Sequence, residues 1–103
     1  MAERRQTSPA RQPPTPLRIS RTDSFARDFK ALPKGIQKQA EEAILRLAEN
    51  PSHPSLRTKK LKGTSRIWEA SVTMSYRITY RRSGGVILLR RIGTHDTLKR
   101  EML

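Results

Sequence analysis

The chain has 103 residues, 34% of them hydrophobic, and its 22 Lys and Arg outnumber 9 Asp and Glu to give a net charge of +13. This length suits one domain with a thin core, and the charge predicts a polyanionic partner, either nucleic acid or an acidic protein segment. The absence of cysteine excludes disulfides, thiolate metal sites and cysteine nucleophiles. Because no apolar run approaches the length of a membrane span, we expect a soluble, cytoplasmic protein.

The first 16 residues are rich in Pro, Arg, Gln and Ser and contain almost no large apolar side chains. A segment of this composition cannot bury enough surface to offset the entropy of ordering it. We interpret residues 1–16 as a flexible basic tail that either contacts nucleic acid nonspecifically or is a passive extension. Residues 17–103 are then the folded domain.

The domain begins with a strand and two helices. Apolar residues alternate over 17–20, which predicts a short strand. They recur every three or four residues from 24 to 32 and again from 36 to 47, which predicts two amphipathic helices. Pro33 separates the helices, because proline ends one helix and suits the first turn of the next. We expect the two helices to form an antiparallel hairpin.

The rest of the chain predicts an antiparallel β-meander. A loop with two prolines spans 50–54, and the sequence LRTKKLKG that follows is interpreted as a basic connection. Three alternating or apolar segments then predict strands: RIWEASVTM, SYRITYRR and VILLRRIG. The order of strand, two helices and meander predicts an α+β domain with the helices on one face of the sheet.

The polar positions of these strands place Glu69, Arg77, Thr79 and Arg81 on one face, away from the helices, which predicts an open basic surface. If Arg77 and Arg91 lie on neighbouring strands of this face, two guanidinium groups can hold one phosphate. They would favour a phosphorane-like state that carries extra charge. The alternative is structural, with both arginines paired to Glu69 or to a carboxylate of a partner protein.

Of the two histidines, His95 is the better candidate for proton transfer. It follows the last strand in RIGTHDTL, where an imidazole can act as general base or general acid near neutral pH. His53 lies between two prolines and is interpreted as a turn residue. Two separated histidines do not make a metal site, so we expect no metal ion and no cofactor.

Cleavage of RNA without a metal needs a base for the 2′-hydroxyl, cations for the pentavalent phosphate and an acid for the departing 5′-oxygen. The sequence offers His95 as base or acid, Arg77 and Arg91 for the phosphate, and Glu69 as a second candidate base. The cations expected to bind the RNA backbone are Lys59, Lys60, Lys62 and Arg81. One of the lysines can also supply the proton.

The ordered set LRTKKLKG, RIWEASVTMSYRITY, a glycine turn and LLRRIGTHDTL resembles the RelE/ParE toxin superfamily over 17–103. Its GTH ending is most similar to the YafQ-type branch. The resemblance implies a RelE-like fold and the toxin of a type II toxin-antitoxin system. It further implies an endoribonuclease that cleaves messenger RNA on the ribosome and is held silent, in a hetero-oligomer, by a cognate acidic antitoxin.

The resemblance also assigns roles to four residues. Arg91 and His95 match the arginine and histidine that carry catalysis in YafQ-type toxins, on the last strand and at its end. Arg77 matches the strand arginine with which RelE-type toxins bind the scissile phosphate. Lys59 lies approximately where YafQ-type toxins have an active-site histidine.

Two departures from the family pattern keep a second function open. The lysines that RelE-type toxins place on the first meander strand fall near Trp68 and Ala70, and the expected C-terminal aromatic is replaced by Leu98 and Lys99. A ParE-like inhibitor of DNA gyrase, which has the same fold without RNA chemistry, is therefore the alternative. The histidine of the GTH ending favours the ribonuclease.

Overall fold

A computed structural model of the chain describes residues 17–61 and 66–102. The tail predicted over 1–16 and the candidate Lys62 lie outside the described residues. The elements in chain order are β1 (Arg18–Arg21), α1 (Asp23–Lys30), α2 (Lys34–Glu49), β2 (Lys59–Lys60), β3 (Trp68–Ser71), β4 (Tyr76–Ser83), β5 (Val86–Thr94) and α3 (His95–Met102), with one turn of 3-10 helix at Pro54–Leu56. The predicted α+β fold, with a strand and two helices before a meander, is confirmed.

The five strands form one sheet in the order β1-β5-β4-β3-β2. Strands β2 to β5 are an antiparallel meander, each paired with its neighbour in sequence. Strand β1 lies parallel to β5, with Arg18 opposite Val86 and Arg21 opposite Leu89. The sheet is therefore mixed, and its first and last strands are neighbours.

Local hydrogen bonds explain where the helices begin and end. Thr22 caps α1, because its hydroxyl accepts from the Phe25 amide at 3.0 Å, and it donates to the Arg90 carbonyl of β5 at 2.7 Å. Pro33 precedes α2, as predicted, and leaves the carbonyls at the end of α1 without a continuing helix. The side chain of Gln37 donates to those carbonyls from the first turn of α2.

The main core lies between the sheet and helices α1 and α2. Its buried residues are Leu17, Phe25, Ala40, Ala43, Leu47, Leu56, Ala70, Ile78, Tyr80, Ile87, Leu89 and Ile92. Ile78 and Ile92 are cross-strand partners, and Tyr80 pairs with Leu89 after a bulge that shifts the register of β4 and β5. The helix-facing side of the sheet is thus set by the alternation of the strand sequences.

Two parts of the meander differ from the prediction. Strand β3 ends at Ser71, and residues 72–75 form a bend, so Met74, the last residue of the predicted strand RIWEASVTM, is 89% exposed. The basic connection predicted over 56–63 contains the edge strand β2.

Helix α3 is not predicted by the sequence analysis. Leu98 is buried, and its Cδ2 atom lies 3.8 Å from where a Cβ at Gly93 would be. Gly93 is the cross-strand partner of Arg77, which alternates with the core residue Ile78. Helix α3 therefore packs on the face of the sheet opposite α1 and α2. Among residues 17–61 and 66–102, no helix is long and apolar enough to span a bilayer.

Candidate functional site

The face of the sheet away from α1 and α2 carries most of the predicted site residues. Lys59 pairs with Glu69, and Glu69 pairs with Thr79, across three adjacent strands. Arg77 and Arg81 lie two residues before and after Thr79 on β4. Because cross-strand partners and alternate residues share a face, the register groups these side chains as the sequence predicts.

This face is less open than expected. Glu69 is 5% exposed and Thr79 is 1% exposed, whereas Arg81 is exposed to solvent. The prediction of an open surface is therefore wrong for Glu69 and Thr79, and around the Glu69 carboxylate the neighbouring side chains are those of Lys59, Arg77 and His95. Within the described part of the chain, the Thr79 hydroxyl is buried and has no hydrogen-bond partner.

Glu69 lies at the centre of a group of cations, which we call the Glu69 cluster: Glu69, Lys59, Arg77 and His95. Its Oε1 atom is 3.8 Å from the Lys59 Nζ and 3.8 Å from the Arg77 Nε, and its Oε2 atom is 4.0 Å from the His95 Nδ1. These distances allow electrostatic attraction but are longer than hydrogen bonds. One carboxylate thus faces two permanent positive charges and an imidazole.

The bend after β3 fixes the orientation of Arg77. Its Nη1 atom donates to the backbone carbonyls of Thr73, Met74 and Tyr76. The Arg77 side chain is 20% exposed, so it is held close to the sheet with Nε towards Glu69. The bend, which interrupts the predicted strand, therefore positions a guanidinium group.

His95 is the first residue of α3 and joins the cluster from β5. Its backbone amide donates to the Ser75 carbonyl at 3.1 Å, which ties the start of α3 to the same bend. The side chain is 53% exposed, and Nδ1 is the ring nitrogen nearer Glu69. Since the two nitrogens lie on different sides of the ring, Nε2 is the one available to a molecule in solution.

Arg91 contacts a different carboxylate. Its Nε and Nη2 atoms donate to the two oxygens of Asp28 on α1, at 2.7 and 3.0 Å. Asp28 also accepts from the Ile92 amide at 3.2 Å, beyond the point where the pairing of β1 with β5 ends. Asp28 therefore takes the place of a strand partner there. That Arg77 and Arg91 hold one phosphate together stays a prediction.

The predicted RNA-binding lysines are divided between the two faces. Lys59 faces Glu69, whereas Lys60 is opposite Trp68, and its Nζ atom lies 5.4 Å from the centre of the indole ring. Adjacent residues of a strand point to opposite faces, so β2 gives one lysine to each. Lys62 lies outside the described residues.

Asp28 is not among the residues predicted from the sequence, although its position in α1 carries a signal. Asp28 lies three residues after Phe25 and one before Phe29, so it occupies the apolar face of α1. A carboxylate at such a position needs a cation or an amide to compensate its burial.

Among the described residues, no group of three or more His, Asp or Glu side chains could hold a metal ion.

Residues 19–98 match the family described as the ParE toxin of type II toxin-antitoxin system, parDE. No curated protein matches the chain in sequence. Several solved structures share the fold of this chain, and three of them are described next.

A metal-bound toxin from Helicobacter pylori is 25% identical, with a TM-score of 0.68 over 80% of this chain and 98% of that one. The DinJ-YafQ toxin-antitoxin complex of E. coli matches at 18% identity and a TM-score of 0.68, covering 81% and 97% of the two chains. The RelB-RelE antitoxin-toxin complex of Methanococcus jannaschii matches at 22% identity and a TM-score of 0.67, covering 82% and 99%.

Proposed function

The chain belongs to the ParE toxin family of type II toxin-antitoxin systems, and from the geometry of its site we propose that it is a ribosome-dependent endoribonuclease that cleaves messenger RNA without a metal ion. Its site of action is then the ribosome in the cytoplasm. The Glu69 cluster is the single observation that carries this proposal. It places a proton-transfer group and two cations each within 4.0 Å of one orienting carboxylate.

The charge of the cluster suits an anionic substrate. Lys59 and Arg77 contribute two positive charges, and Glu69 compensates only one of them. A phosphodiester that approaches the cluster therefore gains attraction, and the gain is larger for a pentavalent phosphate with an additional charge. The fixed Arg77 guanidinium needs little reorganisation to act in this way.

In the proposed reaction, the His95 Nε2 takes the proton from the 2′-hydroxyl. The 2′-oxygen attacks the phosphorus, the bond to the 5′-oxygen breaks, and the products are a 2′,3′-cyclic phosphate and a 5′-hydroxyl. Arg77 stabilises the pentavalent phosphate, and Lys59 supplies the proton for the departing 5′-oxygen.

The burial of Glu69 favours an orienting role over the role of general base that the sequence also allowed. A carboxylate that is 5% exposed and surrounded by cations is poorly placed to reach a 2′-hydroxyl. It can instead attract the His95 Nδ1 and leave Nε2 towards RNA. We also propose Arg91 as a second phosphate ligand. In that role it binds RNA while its guanidinium stays paired with Asp28.

We further propose an acidic antitoxin as the partner, in a hetero-oligomer. The DinJ-YafQ and RelB-RelE structures are complexes of this kind. The net charge of +13 gives such a partner electrostatic complementarity over the same surface that RNA would use.

The proposal is tested with protein freed from any partner, intact ribosomes and a defined messenger RNA. We expect cleavage by the natural chain, and a rate about 100-fold lower for His95→Ala and for His95→Gln, because an amide cannot exchange a proton. Ribosomes need magnesium to stay intact, so the metal requirement is tested separately. A model RNA that the protein can cleave without ribosomes is incubated with it in excess chelator. Full activity of both variants, or a strict metal requirement, would contradict the mechanism.

The family match itself favours the alternative function, a non-enzymatic inhibitor of DNA gyrase. Induction of the protein in cells distinguishes the two. If translation stops first, the ribosome is the target. If replication stops first and the His95 variants stay toxic, gyrase is the target and the ribonuclease proposal fails.

A further inference from the structure

The other face of the sheet carries a second group of cations at the same edge. Lys60 on β2 is opposite Trp68 on β3, and Trp68 is opposite Tyr80 on β4. Arg82 lies two residues after Tyr80 and therefore shares its face. We call Lys60, Trp68 and Arg82 the helix-side cluster, because they lie on the face that α1 and α2 cover in part.

Rigid aromatic contacts support this cluster. The rings of Trp68 and Tyr80 stack with centroids 6.5 Å apart, and the Lys60 Nζ lies 5.4 Å from the centre of the indole ring. Burial raises the pKa of Tyr80 to about 12, and the nearby Arg82 charge opposes that rise. Lys60 and Arg82 are both exposed to solvent. Two exposed cations thus lie beside a pair of stacked rings.

The charge of this cluster is not compensated locally. Between Asn50 and His95 the sequence has one acidic residue, Glu69, and its side chain lies on the opposite face. Within residues 17–61 and 66–102, neither Lys60 nor Arg82 forms an ion pair. An anionic molecule would therefore meet no competing carboxylate of the described chain there.

The apolar surface of the molecule indicates which anion fits. A protein partner is anchored by buried apolar or aromatic side chains, yet the exposed large apolar residues of the described chain, Ile19, Leu45 and Met74, lie on other elements. The cluster offers cations around an indole whose faces are already occupied by Tyr80 and Lys60. Such a surface suits the phosphate backbone of a nucleic acid, which binds through charge.

We propose that the helix-side cluster binds the phosphodiester backbone of RNA at a second position, away from the scissile phosphate. This inference rests on the proposed function. It assigns to the helix-side cluster a contact that holds ribosomal or messenger RNA. Lys59 and Lys60 are adjacent on an edge strand and point to opposite faces. A flexible single strand that passes around this edge can meet both clusters.

The single tryptophan of the chain reports on this binding, because Trp68 belongs to the cluster. We expect titration with a short 2′-O-methyl RNA, which lacks the attacking hydroxyl, to change the Trp68 fluorescence. A phosphate that draws the Lys60 ammonium away from the Trp68 indole changes the surroundings of the indole and therefore its fluorescence. Arg46→Ala should retain this change, because Arg46 is exposed on α2, away from both clusters.

The decisive variant is the double substitution Lys60→Gln with Arg82→Gln. Its matched control is Lys34→Gln with Lys38→Gln, which removes the same charge from the exposed face of α2. In single-stranded RNA each phosphate contact contributes about 0.7 to the slope of log affinity against log salt. The double variant should therefore lose a slope of about 1.4 relative to the control, and the fluorescence change should disappear.

Binding is measured without cleavage, so the outcome is separate from that of the ribonuclease proposal. Equal salt slopes for the two double variants, with both melting like the natural chain, would overturn the second RNA contact. It would also be overturned if the Lys60 and Arg82 variant kept its RNA affinity but lost affinity for polyglutamate, since the surface would then bind acidic protein.

Discussion

Asp28 and Glu69 are two carboxylates that contact arginines of the sheet, and they do so in opposite ways. Asp28 engages one arginine with two hydrogen bonds of 2.7 and 3.0 Å and an amide with a third. Glu69 faces Lys59, Arg77 and His95 at 3.8 to 4.0 Å. At Asp28 the short contacts satisfy both oxygens, whereas at Glu69 positive charge is in excess.

The difference separates stability from function in residues of the same type. A bidentate pair that also binds a backbone amide is satisfied without any ligand, and it joins α1 to β5. A carboxylate with loosely placed cations leaves those cations able to attract an anion. We therefore expect substitutions around Asp28 to change mainly unfolding and those around Glu69 to change mainly catalysis.

The largest expected effect is that of Arg77→Ala on cleavage. The rate should fall by about 100-fold, because a charge that stabilises the transition state is removed, while ribosome binding changes little since many other cations contribute to it. Single-turnover cleavage and a binding titration measure the two quantities. Arg46→Ala, which removes an exposed charge from α2, is the control. A comparable loss in that variant would mean that net charge and not the site is responsible.

Asp28→Ala tests the other half of the comparison. We expect the free energy of unfolding to fall by about 2–3 kcal/mol, because the substitution leaves the Arg91 guanidinium and the Ile92 amide without this acceptor. Chemical denaturation measures the loss, and Asp23→Ala, at an exposed position of the same helix, should cost much less. If Asp28→Ala stays fully stable but loses cleavage, the Asp28 pair serves the site and not the fold, and the two carboxylates do not differ as described.

Glu69→Gln should separate binding from chemistry. Removing the negative charge leaves Lys59 and Arg77 uncompensated, so RNA should bind somewhat more tightly at low salt. The cleavage rate of the bound complex should fall by about 10-fold, because His95 loses its orienting partner. A parallel fall in affinity and rate would instead indicate that the fold around the site has been disturbed.

The smallest expected effect concerns the buried hydroxyl of Thr79. Thr79 pairs with Glu69 on one side and with Arg91 on the other. Thr79→Val keeps the shape and removes an unsatisfied polar group, so we expect the free energy of unfolding to rise by about 1 kcal/mol. Thermal denaturation measures the gain. A loss of both stability and cleavage would show that the hydroxyl serves the site.

Alternation and proline placement were enough to predict the strands, the two helices and the grouping of Glu69, Arg77 and Thr79. Those features depend on local periodicity, which can be read directly from the order of apolar and polar residues. The edge strand β2 and helix α3 were not predicted, because two residues carry no period and the apolar residues of α3 are few. The pairing of Arg91 with Asp28 joins residues 63 positions apart, and only the tertiary fold brings them together.

The parallel pairing of β1 with β5 determines when the sheet and the core of this protein can form during its synthesis. The Thr22 hydroxyl binds the Arg90 carbonyl 68 residues later, and Phe25 belongs to the same core as Ile87 and Ile92. A nascent chain that lacks β5 has no template for its first strand and no cover for α1. Closure of such distant contacts is slow, and the core can form only after β5 has been translated.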